Sequence, residues 1–257
     1  MMEPGTLVPV AGVGTHHANP RSRRTRDPPP GATLRRSVLG KIPPAVVVTP
    51  LVASVFGLVT PAPAEAAIAP VAAVVTERPV DVLYREAGLA GIIENAVFVA
   101  GYRQMERRNL HARMLAIADM TQPSTAQRLV IIDLEQKKVV LRTWVAHGQN
   151  SGDLMAERFS NRDGSHQTSL GLYRVGMEIV SPKHGPALLL HGLDQGLNDK
   201  ARMREVIIHG ADYVSARFIA TNGRLGRSWG CPAVPRRDMA RVIELLADDG
   251  LLYVAGR

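Results

Sequence analysis

Cys231 is the only cysteine in these 257 residues, and a histidine lies upstream of it. The thiol stands in Gly226-Arg227-Ser228-Trp229-Gly230-Cys231-Pro232, and the histidine in Ile207-Ile208-His209-Gly210. A thiolate is the strongest nucleophile that side chains offer near neutral pH, and a histidine close in space can take its proton. The pair therefore suits acyl transfer through a thioester. A free cysteine is also a common buried hydrophobe. A packing cysteine belongs in an apolar periodic run, however, whereas this one follows Gly-Arg-Ser-Trp-Gly and precedes Pro, the composition of an irregular turn. Glycine in such a turn lets backbone N–H groups approach a ligand closely.

Other chemistries find less support. Of the eight histidines, His16 and His17 lie near the N-terminus. The rest are scattered, with no His-x-x-x-His pattern or paired cysteines to hold zinc. Gly223-Arg224-Leu225-Gly226 lacks the preceding strand and the Lys-Ser/Thr ending of a phosphate loop. The sequence implies neither a metal nor a cofactor.

The segment 1–66 differs in composition from the rest. Arg21, Arg23, Arg24 and Arg26 lie among prolines, and Arg35-Arg36-Ser37-Val38-Leu39-Gly40-Lys41 leads into the apolar stretch Ala45 to Val59. Ala64-Glu65-Ala66 closes it. A basic start, a short apolar core and an Ala-x-Ala site describe an export signal, and the stretch is shorter than the roughly 20 apolar residues of a spanning helix. The arginine pair resembles a twin-arginine signal, with Sec export the alternative. The expected destination is the periplasm or cell envelope, with no membrane anchor after cleavage. Residues 1–66 hold 7 of the 31 basic and 3 of the 23 acidic residues, which leaves 24 against 20, a balance of +4. That removes most of the support for a nucleic-acid partner and leaves a mild positive balance suited to an anionic wall polymer.

One cysteine in an exported chain excludes an internal disulfide framework, so a packed core must hold the domain. About 190 residues suffice for one such core. Residues 67–79 read as a linker and 80–257 as the domain. Leu89, Ile93, Val97 and Ala100 recur at helical spacing, ending near Arg107-Arg108. Leu129 to Ile132 and Val139 to Leu141 then form a hairpin around Glu135-Gln136-Lys137-Lys138. Further strands are expected at Leu170–Val175, Glu178–Val180, Ala187–Leu190 and Val206–Ile208. Met239, Val242, Ile243 and Leu246 make a helix face after Pro235, and Leu251 to Val254 a last strand. The fold class is mainly β with flanking helices, α+β.

His209-Gly210 followed by Ser228-Trp229-Gly230-Cys231 resembles the signature of the YkuD-type L,D-transpeptidases, in which a His-Gly precedes Ser-His-Gly-Cys. Val145-Ala146-His147-Gly148, Phe159-Ser160-Asn161, Ser169 to Tyr173, His209 to Tyr213 and Gly226 to Val234 resemble the murein L,D-transpeptidase catalytic domain. The resemblance covers roughly residues 80–257. It implies a β-sandwich or barrel catalytic domain and an exported enzyme acting on peptidoglycan stem peptides. A tetrapeptide would be the acyl donor and an amine the acceptor; L,D-carboxypeptidase action on water and a non-catalytic peptidoglycan-binding relative are the alternatives.

In that chemistry Cys231 is the nucleophile and His209 the base, since histidine titrates near pH 6.5 and can return the proton to the leaving amine. Backbone N–H groups around Trp229, Gly230 and Cys231 are candidates for the oxyanion. Ser228 either positions His209 or the substrate, or is a turn residue bonding its own backbone. Trp229 stands where the signature has histidine, and no arginine follows at the second position after the cysteine. Arg227 or Arg224 then becomes the candidate cation for a stem-peptide carboxylate, a solvated turn arginine being the alternative. Gly210, Tyr173 and Asn161 are further candidates for substrate contact. His191, after Leu188-Leu189-Leu190, reads rather as a core or edge histidine.

Overall fold

The computed structural model describes residues 77–257. The export segment 1–66 and most of the linker 67–79 lie outside them. The helices are α1 (Pro79–Glu86), α2 (Asn95–Arg107), α3 (Ala216–Asn222) and α4 (Arg236–Leu246). The strands are β1 (Met114–Asp119), β2 (Leu129–Asp133), β3 (Lys138–Thr143), β4 (Gly171–Ser181), β5 (Gly185–Gly192), β6 (Ile207–Ala211), β7 (Ala233–Pro235) and β8 (Leu251–Ala255). They form one sheet in the order β3-β2-β1-β8-β4-β5-β6-β7. Pairing is antiparallel except at β1–β8 and β6–β7.

Side chains alternate across a strand, so β1 sends Leu115 and Ile117 to one face and Ala116 and Ala118 to the other. Both faces are buried. Leu115 and Ile117 join Phe98, Val99 and Met105 of α2, along with Val130, Ile132, Leu172 and Leu251. Ala116 and Ala118 join Tyr173, Leu188, Leu190, Ile208 and Val254, over which α4 lays Met239, Val242 and Leu246. Burial on both faces hides the period-two signal, which explains why β1 is not legible in the sequence. Gly101 lets α2 approach β8, since a Cβ there would lie 2.8 Å from the Tyr253 ring.

The single helix expected through Leu89 and Ala100 is instead α1 and α2 with a turn between them. Gly88 and Gly91 take φ of 66° and 74°, a left-handed conformation that a helix cannot contain. Leu89 and Ile93 are buried from that turn rather than from a helix face. The two strands expected at 170–180 are one strand, β4, with a register shift between Val175 and Glu178. At and beyond that shift β4 exposes Met177 and Val180, while Ala187 and Leu188 of β5 stay buried.

The two edges of the sheet meet. After β3 the chain continues to Ala146, whose N–H bonds Ala233 O of β7 at 2.8 Å, and Gly148 bridges to Ser228. The sheet thereby closes nearly into a barrel, which satisfies edge groups that would otherwise be exposed. Arg128 fastens the closure from inside: it is 1% exposed and donates to Val145 O, Gln122 O and His147 Nδ1.

Candidate functional site

The loop 226–232 is built at this closure. Ser228 N–H bonds His147 O at 3.0 Å, and Gln149 N–H bonds Ser228 O at 2.8 Å. The Ser228 hydroxyl donates to Cys231 O at 2.6 Å and accepts the Gly230 N–H at 3.0 Å. Ser228 is thus the residue that bonds its own turn, the second of the two roles its sequence position allowed. Gly230 sits at φ 121°. Its N–H is committed to Ser228, which takes it out of the set of donors that could face an oxyanion.

β6 and β7 run in parallel with His209 opposite Ala233, and the His209 N–H bonds Pro232 O at 3.4 Å. Cys231 is therefore two residues ahead of the partner of His209, on the loop that leads into β7. The half-buried thiol donates to Glu205 O at 3.8 Å. Burial pushes the Cys231 thiol up, against the Ile207 N–H and the charges of Arg204 and Lys183.

His209 is 1% exposed, and its burial lowers it to about 4; the Nδ1 bond to Gly210 O opposes this, while His184, Arg236 and Lys183 add to it. Gly210 O, 3.2 Å from Nδ1, only accepts, so Nδ1 carries the hydrogen and Nε2 is the basic nitrogen. Near neutral pH the resting pair is a neutral thiol and a neutral imidazole.

The tip of the β4–β5 hairpin covers His209 and reaches Trp229 of the thiol loop. The His184 ring lies on His209 with centroids 3.7 Å apart, and Lys183 Nζ sits 4.2 Å over the Trp229 ring. Trp229, 64% exposed, also stacks on His166 at 5.0 Å. One hollow of about 580 Å³ is lined by Tyr213, Asp212 and α3 residues, and another of about 480 Å³ by His184, Gly210, Glu178, Arg236 and α4 residues. A Cβ on Gly226 would lie 2.4 Å from Tyr213 Cβ, so the glycine lets Tyr213, which lines the first hollow, pack against the loop. Gly210 belongs to the second and packs against Arg236.

Several candidates are placed elsewhere. Arg227 Nη1 bonds Gly152 O at 3.0 Å and Asp153 at 2.7 Å, and Arg224 is 3.6 Å from the same carboxylate. Both guanidinium groups are drawn to the 149–153 loop, and neither is a free cation beside the thiol. Tyr173 is 2% exposed, with its hydroxyl on Ser169 O at 2.9 Å. It is a core residue under the site rather than a wall of it. Asn161 bonds Asp199 at 2.7 Å and accepts the Lys200 N–H at 3.2 Å, so it joins two loops. His191 pairs with Arg174 across the hairpin. Among the described residues no group of three or more His, Cys, Asp or Glu is arranged to hold a metal ion.

The residues that the sequence did not single out are Arg204, Glu205, Lys183 and His184. The first two end the irregular turn 194–205, which Asp194 and Asn198 anchor: Leu172 N–H bonds Asp194 at 2.6 Å, and Asn198 Nδ2 bonds Leu170 O and Leu172 O at 3.0 Å each. The polar cluster Asp194-Gln195-Gly196-Leu197-Asn198-Asp199 signals a turn but not what the turn touches.

A nearly closed, mostly antiparallel sheet, with one thiol on the loop before its edge strand and a buried histidine on the neighbouring strand, defines a thiol-bearing β domain. The chain belongs to the L,D-transpeptidase catalytic domain family, whose model matches residues 92–255. No curated protein sequence matches it. Among solved structures it is similar to an L,D-transpeptidase from Mycobacterium smegmatis, with 13% identity, 56% of this chain and 59% of that one covered, and a TM-score of 0.35. It is similar also to those of Stackebrandtia nassauensis (14%, 69% and 76%, 0.34) and Xylanimonas cellulosilytica (13%, 67% and 77%, 0.34). The match spans 59% of the mycobacterial chain.

Proposed function

We propose that the protein is an exported L,D-transpeptidase that acts on peptidoglycan stem peptides through a Cys231 thioester. Family membership supports the reaction class. The observation that supports the residue assignment is the β6–β7 pairing, in which His209 lies on the strand next to the one that the Cys231 loop leads into. His209 Nε2 takes the thiol proton as sulfur attacks the carbonyl that follows the L-centre of the third stem residue. The C–N bond to the terminal D-amino acid breaks, its amine leaves with the proton from His209, and the acyl group stays on sulfur as a thioester. An acceptor amine then attacks the thioester, loses a proton to His209, and the sulfur leaves and is reprotonated. Water in place of the amine gives the carboxypeptidase outcome.

With the Gly230 N–H committed to Ser228, the Trp229 and Cys231 N–H groups remain as the loop donors for the oxyanion. The basic-then-apolar segment ending in Ala64-Glu65-Ala66 supports delivery to the cell envelope.

The test is to incubate the purified protein with a disaccharide tetrapeptide and read adduct and products by mass spectrometry. A Cys231 acyl adduct, with a cross-linked dimer or a tripeptide product, is expected. Neither adduct nor product from folded protein overturns the proposal.

A further inference from the structure

The turn 200–205 touches the nucleophile loop with two groups. Glu205, at the left-handed φ of 53°, turns its carbonyl to the Cys231 thiol. A non-glycine residue in this region costs energy and persists where its surroundings impose it. Its neighbour Arg204 points the other way along the loop. Its Nη1 donates to Ser160 O at 2.9 Å and Ser169 Oγ at 2.8 Å, and its Nη2 to Gln167 O at 2.7 Å and Ser165 Oγ at 3.2 Å. All four acceptors are neutral. The guanidinium is therefore fixed in place without being neutralised, and it has no fork left for a bidentate substrate carboxylate.

Its location is set by Gly230. A Cβ on that glycine would lie 3.2 Å from Arg204 Nη2 and 2.8 Å from Gln167 O. The charge thus rests against the backbone of the residue that precedes Cys231. A cation held there favours negative charge on the sulfur and on the oxygen of a tetrahedral adduct, and an already ordered dipole or charge costs no reorganisation at the moment of reaction.

We infer that Arg204 is a positioning residue for Cys231, holding the 160–169 loop against Gly230 and supplying the fixed positive charge toward which the thiolate forms. The assignment rests on Cys231 as the nucleophile. It replaces the cation that the sequence sought in Arg224 or Arg227, and it serves the sulfur rather than the substrate.

The test follows the alkylation of Cys231 by iodoacetamide across roughly pH 6 to 10 in wild type, Arg204→Gln and Arg204→Lys, with thermal unfolding in parallel. Alkylation needs no transpeptidase substrate, so its outcome is separate from that of the turnover assay. Loss of the charge in Arg204→Gln is expected to move the midpoint up by about one pH unit, a roughly tenfold loss of thiolate near neutrality. Arg204→Lys keeps the charge and should return most of that shift while losing hydrogen bonds. Equal midpoints in wild type and Arg204→Gln, or a lysine variant shifted as far as the glutamine one, overturn the inference. Where Arg204→Gln does not fold, Arg204→Met against Arg204→Lys decides: a midpoint about one unit higher in the methionine variant supports it and equal midpoints overturn it.

Discussion

His184 lies on His209 at 3.7 Å between ring centroids and 24° between planes, so the tip of a solvent-projecting hairpin supplies part of the burial of the candidate base. Burial is the leading cause of the lowered His209 value, with His184 itself a further one. Removing the ring in His184→Ala should let water reach His209 and move its titration up from about 4 toward the ordinary 6.5. An NMR titration of the His209 ring reads this directly. A titration that stays in place would show that the rest of the pocket accounts for the burial.

The neutral resting pair sets the pH dependence of turnover. His209 accepts a proton only while it is unprotonated, and that form prevails above about pH 4. The acid limb of kcat/KM should therefore fall near pH 4 to 5 rather than near 6.5. His209→Ala should lose about 10²–10⁴-fold in rate. Steady-state rates across pH, with circular dichroism as a check on folding, measure both.

The same burial makes the fold acid-sensitive. His147 and His209 are each lowered from 6.5 to about 4, in both cases chiefly by burial. Above 6.5 neither state binds the proton, and full stability is present. As pH falls from 6.5 to about 4 the unfolded chain takes up protons that the folded one excludes, so stability is lost across that window. The loss should be on the order of 2 kcal/mol per histidine between pH 7 and pH 5. Urea unfolding at the two pH values checks it, and a flat profile would contradict the burial of both rings.

Cys231→Ala should abolish the acyl adduct while changing stability by no more than about 1 kcal/mol, because the half-buried thiol donates only one long bond, to Glu205 O. Gly230→Ala should behave in the opposite way. A side chain there meets Gln167 O and Arg204 and is forced to φ 121°, at a cost of about 1–3 kcal/mol. Thermal unfolding of the two variants, beside mass spectrometry of the adduct, separates the chemical role from the structural one.

Trp229 is held by weak contacts, the Lys183 ammonium on its ring and the His166 stack. Trp229→Ala should cost about 1 kcal/mol or less, yet free the hairpin tip. Hydrogen exchange at residues 181–185 is expected to accelerate in that variant. Unchanged exchange would mean that the His184–His209 stack alone holds the tip.

The strands β2 to β6, the last helix and the last strand were legible because each carries a local period with a glycine, proline or polar turn at its ends, whereas the short α3 and β7 were not. The turn 87–94 was not, since Leu89, Ile93 and Val97 keep helical spacing while Gly88 and Gly91 break the helix. Nor was β1, whose alternation is masked by burial on both faces. The site divided in the same way. Cys231 and His209 stood out by residue type and motif, whereas Ser228 turned inward on its own loop and Tyr173 went to the core.

The sequence by itself determined which chemistry is available: one thiol, a histidine in a His-Gly string, a glycine-flanked turn, and a mainly β domain. Such features are local, so neighbouring residues suffice to reveal them. The tertiary structure alone decided which charge reaches the sulfur and what covers the histidine. Arg227 was the nearer arginine in sequence, but Asp153 and Gly152 hold it. Arg204, 27 positions before Cys231, takes the place beside Gly230. Sheet closure and the hairpin bring these groups together from distant parts of the chain, and a field in a half-buried pocket depends on that distance in space, which no local pattern encodes.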